Sequence, residues 1–260
     1  MENSETNPLI FKEIKKLFGK KIVLEDLSGT IAPNAITSLI GPNGAGKSTL
    51  LGILSRLLQQ DGGSVSFFDK ELQNYPSNEL AKKISILRQS NHLDLKLTIK
   101  DLVSFGRFPY CKGRLEPLDW KKVDEAIAFS DLQDIQDQFV DELSGGQRQR
   151  AFLAMIIAQD TDYILLDEPL NNLDMKHSVQ VMKTLRRLVD DLGKTVIIVI
   201  HEINFAAQFS DYIMALKNGK LCYHDRVEQV ISSEVLEDIF GIQFDIIDRN
   251  NKKICNYFNL

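Results

Sequence analysis

Nine consecutive residues, Gly41-Pro42-Asn43-Gly44-Ala45-Gly46-Lys47-Ser48-Thr49, follow the spacing G-x-x-x-x-G-K-[ST], with Gly44 as an added glycine. Glycines at these places let a backbone wrap an anion with its N–H groups turned inward. The polarity of a helix beginning after Gly46 favours the same anion. In this pattern Lys47 reaches the β- and γ-phosphates of a nucleotide, and the Ser48 hydroxyl coordinates Mg2+. A second group is Tyr163-Ile164-Leu165-Leu166-Asp167-Glu168-Pro169. Its apolar run delivers two acids to the C-terminal edge of a buried strand, where open α/β sheets bind ligands. Asp167 is suited to hold Mg2+, directly or through water, and Glu168 to polarise an attacking water. Alone, such a run reads equally as a strand leaving the core. Beside a phosphate loop it reads as the machinery for cleaving ATP or GTP.

A third group is Leu143-Ser144-Gly145-Gly146-Gln147, followed by Arg148-Gln149-Arg150. Ser144-Gly145-Gly146 forms a second amide-rich turn at a helix start, an anion site without a lysine. Two phosphate sites in one chain, one of them lacking lysine, suggest nucleotide shared between two copies.

The elements that must position these groups follow from periodicity. Ile22-Val23-Leu24 reads as a strand, followed by turns at Ser28-Gly29 and Ala32-Pro33-Asn34. The apolar run Ala35–Ile40 reads as a strand that ends on Gly41. From Lys47, apolar residues at Leu50, Leu51, Ile53, Leu54, Leu57 and Leu58 predict a helix with a broad apolar face. Asp61-Gly62-Gly63 reads as a turn, Ser64–Phe68 as a short strand and Ile84–Leu87 as another. The stretch from Leu97 to Leu143 is more polar, helical over Pro117–Phe129 and broken by Gly106, Pro109, Gly113 and Pro117, as expected of a helical insertion. A helix is predicted from Ser144 through Ala158, a strand at Tyr163–Leu166 and an amphipathic helix over Val179–Leu192 with Gly193 at its end. Thr195–Ile200 is another buried strand. Short apolar strands alternating with helices imply an α/β fold with a mostly parallel sheet covered on both faces. The tail from Gly241 to Leu260 offers two strand-like pieces, Ile242–Ile247 and Ile254–Phe258, and no motif.

The bulk properties narrow the classes. The chain has 260 residues, 43% hydrophobic and 26% charged, enough to bury a substantial core. Its formal net charge of -5 argues against a general nucleic-acid binder. Cys111, Cys222 and Cys255 are odd in number and far apart, which suits a reduced, intracellular setting. Met1 to Pro8 is polar with two acids, unlike a signal peptide. The apolar runs Ala151–Ala158 and Val196–Ile200 fall far short of the ~20 residues that span a bilayer. Any membrane role is expected to come through a partner.

Taken together, these motifs resemble the ATP-binding cassette (ABC) family, whose signature is the Leu143–Gln147 pentapeptide. The resemblance runs from about Leu9 to Phe240. It implies a P-loop NTPase (RecA-like) core with an N-terminal antiparallel β part and a helical insertion that carries the signature. The core is expected over about 1–92 and 156–240, the helical subdomain over about 93–155, and a C-terminal extension over 241–260. In that family two subunits pack head to tail, so Ser144, Gly145, Gly146 and Gln147 would meet ATP held on the partner's Gly41–Thr49 loop. Gln89 looks like the glutamine that senses Mg2+ and the attacking water, and His201 like the histidine that contacts the γ-phosphate. Leu173-Asp174 looks like the loop that crosses the dimer interface. Phe18, ahead of Gly19, matches the aromatic that stacks on adenine. Three positions depart from the common pattern: Phe18 for Tyr, Leu170 for Thr or Ser, and Glu202 for Asp. None removes a group that contacts phosphate or metal.

A lone cassette without a membrane span is typical of importers. The resemblance therefore implies a homodimer, a separate permease and, indirectly, an extracytoplasmic substrate-binding protein, with this subunit at the cytoplasmic face. The segment from Thr98 to Tyr110 looks like the ATPases of iron–siderophore, haem and cobalamin uptake. Leu166–Leu173 and the following Asp174-Met175-Lys176-His177-Ser178 are similar to ferric-siderophore ATPases in particular. Phe105, Phe108 and Tyr110 either anchor a short permease helix or fill a small core of their own. A soluble, non-transport cassette protein, such as a scaffold ATPase of iron–sulfur cluster assembly, stays open at this point. A translation factor normally carries two cassettes in tandem, whereas 260 residues hold one.

Overall fold

A computed structural model describes residues 8–67, 70–89, 96–111, 113–249 and 252–258. Phe68, expected to end a strand, lies outside the described residues, as do Met1 to Asn7 and the expected boundary near residue 92. In chain order the elements are β1 (Leu9–Phe18), β2 (Lys21–Ile31), β3 (Ile36–Ile40), α1 (Lys47–Leu54), β4 (Gly62–Phe67), β5 (Lys70–Glu71), α2 (Ser77–Leu80) and β6 (Ile84–Leu87). Then come α3 (Ile99–Ser104), α4 (Phe108–Cys111), α5 (Pro117–Phe129), α6 (Gly145–Ala158), β7 (Tyr163–Asp167), α7 (Met175–Asp190), β8 (Thr195–Val199) and α8 (Ile203–Phe209). The chain closes with β9 (Tyr212–Lys217), β10 (Lys220–Arg226), α9 (Val227–Val230), α10 (Ser233–Phe240), β11 (Asp245–Arg249) and β12 (Lys252–Asn256). No helix among the described residues is long and apolar enough to cross a membrane.

The central sheet has the order β10-β9-β3-β8-β7-β6, parallel from β9 to β6 with β10 antiparallel at the edge. Its strands β3, β7 and β8 are almost wholly buried because both faces are covered. One buried cluster joins Leu50 and Leu54 of α1 to Leu165 and Ile197 of the sheet and to Phe11 and Leu27 of the N-terminal strands. The other face carries the second cluster, from Ile164 and Ile198 to Leu185, Phe152 and Leu102. A separate antiparallel sheet, β2-β1-β4-β5, caps the first face.

Four local expectations are corrected. Ser28-Gly29 is not a turn but part of β2, opposite Phe11. A methyl on Gly29 would lie 2.6 Å from the Phe11 ring, so glycine is there for space. Gly62-Gly63 likewise opens β4, at a register shift against Lys12 and Lys15 of β1. Helix α1 stops at Leu54, because Arg56 turns left-handed and its guanidinium is captured by the carbonyls of Leu72 and Tyr75 and by Ser77 Oγ. Leu57 is consequently 57% exposed, off any helix face. Helix α7 begins earlier than its apolar period, at Met175, since Asp174 caps it by accepting the His177 amide at 2.8 Å.

Between β6 and β7 the described residues carry helices α3 to α6, as expected. Arg107 ties this segment together from a buried position. Its Nε donates to Asp119 Oδ1 at 3.0 Å, its Nη1 to the Ala158 carbonyl at 2.8 Å, and its plane stacks 3.9 Å from the Tyr110 ring. Asp119 also accepts the Glu116 amide at the start of α5. One guanidinium thus joins the start of α5 to the end of α6. Removing it strands a buried carboxylate, so Arg107→Ala is expected to cost about 3 kcal/mol. Denaturant unfolding checks this, and an unchanged midpoint would show that the pair holds nothing.

Candidate nucleotide site

The site is built by strand register. In the parallel ladder Leu87 lies beside Leu166, and Val199 beside Asp167. Gln89, Glu168 and His201 therefore leave neighbouring strand ends together. Glu168 Oε2 accepts a hydrogen bond from Gln89 Nε2 at 2.7 Å, and His201 Nε2 lies 2.6 Å from Glu168 Oε1. Asn171 Nδ2 also donates to Oε2. Glu168 adopts φ 51°, a left-handed conformation that costs on the order of 1–2 kcal/mol for a residue with a Cβ. That turn directs its carboxylate at the three side chains rather than along the strand.

The glycine loop stands next to it. Gly41 follows β3 with φ 138°, and a Cβ there would lie 2.0 Å from the Leu216 carbonyl. No side chain caps the start of α1 at Gly46, so the first-turn amides of Lys47, Ser48 and Thr49 have no intrahelical acceptor, which makes this helix start suited to an anion. Pro42, Asn43 and Gly44 form its outer rim, while Ala45, Gly46 and Lys47 are buried. Lys47 Nζ donates to the carbonyls of Gly41 at 2.9 Å and Pro42 at 3.1 Å. Burial pulls its ammonium below the usual lysine range, against the opposing pull of Glu168 and Asp167.

Ser48 Oγ donates to Asp167 Oδ1 at 2.8 Å, so two of the three expected metal ligands, Gln89 being the third, already meet. Burial pushes the Asp167 carboxyl up, the Ser48 bond opposes this, and the neighbouring Glu168 charge adds to the rise. A divalent cation beside Ser48 and Asp167 would relieve that cost, so these oxygens fit Mg2+. No group of three or more His, Cys, Asp or Glu side chains among the described residues would hold a metal unaided. The remaining ligands would come from phosphate oxygens and water, as Mg2+ at nucleotides usually has them.

Ser144 to Gln147 sits on another part of the chain. Ser144 Oγ accepts the Gln147 amide at 3.3 Å, and Gln147 Oε1 accepts the Ser144 amide at 3.0 Å, a reciprocal cap on α6. The amides of Gly145 and Gly146 are left for an outside ligand. Behind them stands His177, which the sequence reading named only within the stretch Asp174–Ser178 and gave no role at the site. The His177 ring packs under Gly146 and is oriented by Asp174 Oδ1, 2.7 Å from Nδ1. Asn171 was missed as well. The signal for both was spacing: Asp174 to His177 is a cap-to-N3 interval, and Glu168 to Asn171 has the same i,i+3 interval.

Other expected residues lie apart from this cluster. Phe18 is 52% exposed at the end of β1. Phe105, Phe108 and Tyr110 are also exposed, and the Tyr110 ring is flanked by Arg107 and by Lys82, whose Nζ lies 5.0 Å from it. A cavity of about 620 Å³ between α5, α6 and α7 lies at the opposite, N-terminal ends of the strands. Its lysines, Lys122 and Lys194, both pair with Asp160.

A family profile described as ABC transporter matches residues 24–171, more than half of the chain. The petrobactin import ATP-binding protein of Bacillus subtilis is 56% identical over 95% of this chain and 98% of its own. The ferric enterobactin transport ATP-binding protein of Escherichia coli is 38% identical over 89% of this chain and 86% of its own. Among solved structures, a dimeric bacterial ABC transporter cassette matches with a TM-score of 0.74 at 30% identity, over 84% of this chain and 98% of the other. A metal-chelate type ABC transporter in an inward-facing conformation shares the fold, with a TM-score of 0.83 at 21% identity over 97% and 99% of the two chains.

The packing under Gly146 gives a direct test. A methyl there would fall 2.2 Å from His177 Cδ2, so Gly146→Ala must displace the ring or the start of α6. ATP affinity of the isolated subunit should persist, because Gly41–Thr49 is untouched, while ATPase turnover falls about tenfold or more, ~1.4 kcal/mol of barrier. Full turnover in that variant would show that the helix start plays no part in hydrolysis.

Proposed function

The chain belongs to the ABC transporter family, and on that premise we propose that it is the ATP-binding and ATP-hydrolysing subunit of an importer that energises uptake of a ferric siderophore through a separate membrane permease. The observation that carries this reading is the likeness to an import ATPase for petrobactin along almost the full length of both chains. The contacts Ser48–Asp167, Gln89–Glu168 and His201–Glu168 support it. Relatives named for ferric enterobactin and iron(3+)-hydroxamate transport, matched over 86% and 96% of their own chains, support the same cargo class.

In this reading ATP lies on Gly41–Thr49, with Lys47 exchanging the carbonyls of Gly41 and Pro42 for β- and γ-phosphate oxygens. Ser48, Asp167 and, on the γ side, Gln89 would hold Mg2+, which when bound neutralises developing phosphate charge. Glu168 orients and deprotonates the attacking water, and His201 moves from the Glu168 carboxylate to the γ-phosphate. Phe18 stacks on adenine from the end of β1. A second copy supplies Ser144, Gly145, Gly146 and Gln147 to the same ATP, with Asp174 near the boundary between copies. ATP does work only because it binds the closed pair better than the open one.

The domain division follows: a nucleotide-binding core over about 1–92 and 156–240, a helical subdomain over about 93–155 and an extension over 241–260. The exposed rings of Phe105 and Phe108, held by the anchored Arg107 between them, form the surface offered to a short permease helix. The subunit then works peripherally on the cytoplasmic face, and an extracytoplasmic binding protein delivers cargo to the permease.

Two experiments test this reading. Glu168→Gln should bind ATP yet hydrolyse it at least about a hundredfold more slowly, as expected for loss of a general base. Cells carrying that allele in place of the wild type should fail to accumulate radio-iron presented as ferric petrobactin. Near-normal turnover would remove Glu168 from its role, and normal uptake would remove the chain from siderophore import. Separately, Ser144→Arg should keep ATP binding but abolish the ATP-dependent dimer seen by size-exclusion chromatography in the Glu168→Gln background. A dimer of undiminished stability would overturn the shared-site arrangement.

A further inference from the structure

The hairpin β11–β12 carries no motif, yet it makes a specific junction. Along one edge β12 pairs with β11. Along its other edge the partners are side-chain amides of α8. Asn204 Nδ2 donates to the Cys255 carbonyl at 3.1 Å, and Asn204 Oδ1 accepts the Cys255 amide at 2.8 Å. One helical turn on, Gln208 Nε2 donates to the Lys253 carbonyl at 2.6 Å. Residues four apart share a helix face, and peptide groups two residues apart share a strand edge, so the two periods mesh. The helix supplies the bonds that another strand would have made.

The junction is locked from both sides. Lys252 Nζ returns to the Gln208 carbonyl at 2.8 Å, and Lys253 Nζ reaches the carbonyls of Glu228 and Ile231 at 2.7 and 2.6 Å. Cys255 is buried, and the Phe244 and Tyr257 rings meet 5.5 Å apart at the base of the hairpin.

Helix α8 starts two residues after His201. Its far end is held by the sheet and by α7, through Ser38 Oγ at 2.6 Å from Ser210 Oγ and through Arg186 on the Phe209 carbonyl. Its first turn has Ile203 in the core and Asn204 on the hairpin. What fixes that turn fixes the direction in which His201 leaves β8 toward Glu168.

We propose that the C-terminal hairpin braces His201, and that Asn204, gripped by the Cys255 peptide, is a positioning residue for ATP hydrolysis. This rests on the reading of His201 as part of the hydrolytic site. Asn204 touches neither Glu168 nor the glycine loop, so its loss leaves nucleotide binding in place and lets the imidazole wander from its reacting position. Small misplacement of a catalytic group lowers turnover rather than affinity.

The test uses the full chain with Asn204→Ala, His201→Ala and the double variant, followed by single-turnover MgATP hydrolysis, ATP affinity and thermal unfolding. Asn204→Ala is expected to lower the hydrolysis rate about tenfold with ATP affinity unchanged. In the His201→Ala background the same substitution should lower the rate little further, since groups acting as one unit are non-additive. Asn204→Asp keeps the acceptor for the Cys255 amide and should recover part of the loss. If His201→Ala is slow but Asn204→Ala is not, or if the two losses simply add, the brace is refuted and the site reading stands. If His201→Ala hydrolyses ATP normally, the site reading itself fails and takes the brace with it. Should Asn204→Ala not fold, Gln208→Ala must show the same non-additivity at smaller amplitude, and additive loss there overturns the proposal.

Discussion

The Glu168 carboxylate is the knot on which the arrangement depends. It receives Gln89 from the end of β6, His201 from the end of β8 and Asn171 from its own loop. Those contacts exist because β6, β7 and β8 are adjacent, parallel and in a register that brings three chain exits level. A two-residue slip in either ladder would carry a side chain roughly 6–7 Å along the strand and out of hydrogen-bond reach. The left-handed turn at Glu168 adds the last adjustment, and its conformational cost is met by the three bonds it makes possible.

The other parts of the chain serve that geometry from a distance. The N-terminal antiparallel sheet covers α1, and so supports the glycine loop from behind. The helical segment is bound to the end of α6 by Arg107, so α6, whose first turn carries Ser144 to Gln147, is one rigid rod between an exposed aromatic surface and an anion-seeking helix start. The loop between Glu168 and α7 connects the two chemistries. Asn171 touches the carboxylate, the Asn172 carbonyl lies 3.9 Å from where a Gly145 side chain would begin, and His177 underlies Gly146. Residues 169–177 thus join the Glu168 carboxylate to the turn at Ser144–Gln147.

Much of this was legible because its signals are local. A phosphate loop needs glycines at fixed intervals, an apolar run ending in two acids needs no partner to be noticed, and the Pro117–Phe129 helix carries its own start signal. What escaped depends on contacts distant in sequence. Gly29 looks like a turn until Phe11 is laid against it. The apolar period through Leu58 continues past the point where Arg56 is pulled out of the helix by carbonyls from Leu72 and Tyr75. The tail gave strand-like pieces displaced from the observed strands, because Phe244 turns inward to Phe240 and Tyr257 rather than extending. Asn204 had no signal at all, since its meaning lies in the edge of a strand 51 residues later.

On the proposed reading, the side chains assigned to the reaction are engaged within the chain itself: Lys47 on the loop carbonyls, Ser48 on Asp167, and Glu168 on Gln89, His201 and Asn171. Nucleotide must therefore exchange these bonds rather than add to them, and exchange yields only a fraction of the gross strength of each contact. The phosphate loop gains from the exchange, because an ammonium on phosphate replaces an ammonium on neutral carbonyls. Glu168 and His201 gain little until a γ-phosphate and an ordered water take the places they give up. A single subunit therefore has reason to bind ATP and little reason to hydrolyse it. In the proposed dimer, the amides of Gly145 and Gly146, for which no backbone acceptor stands among the described residues, would tip this balance once a second copy brings them to the same phosphate.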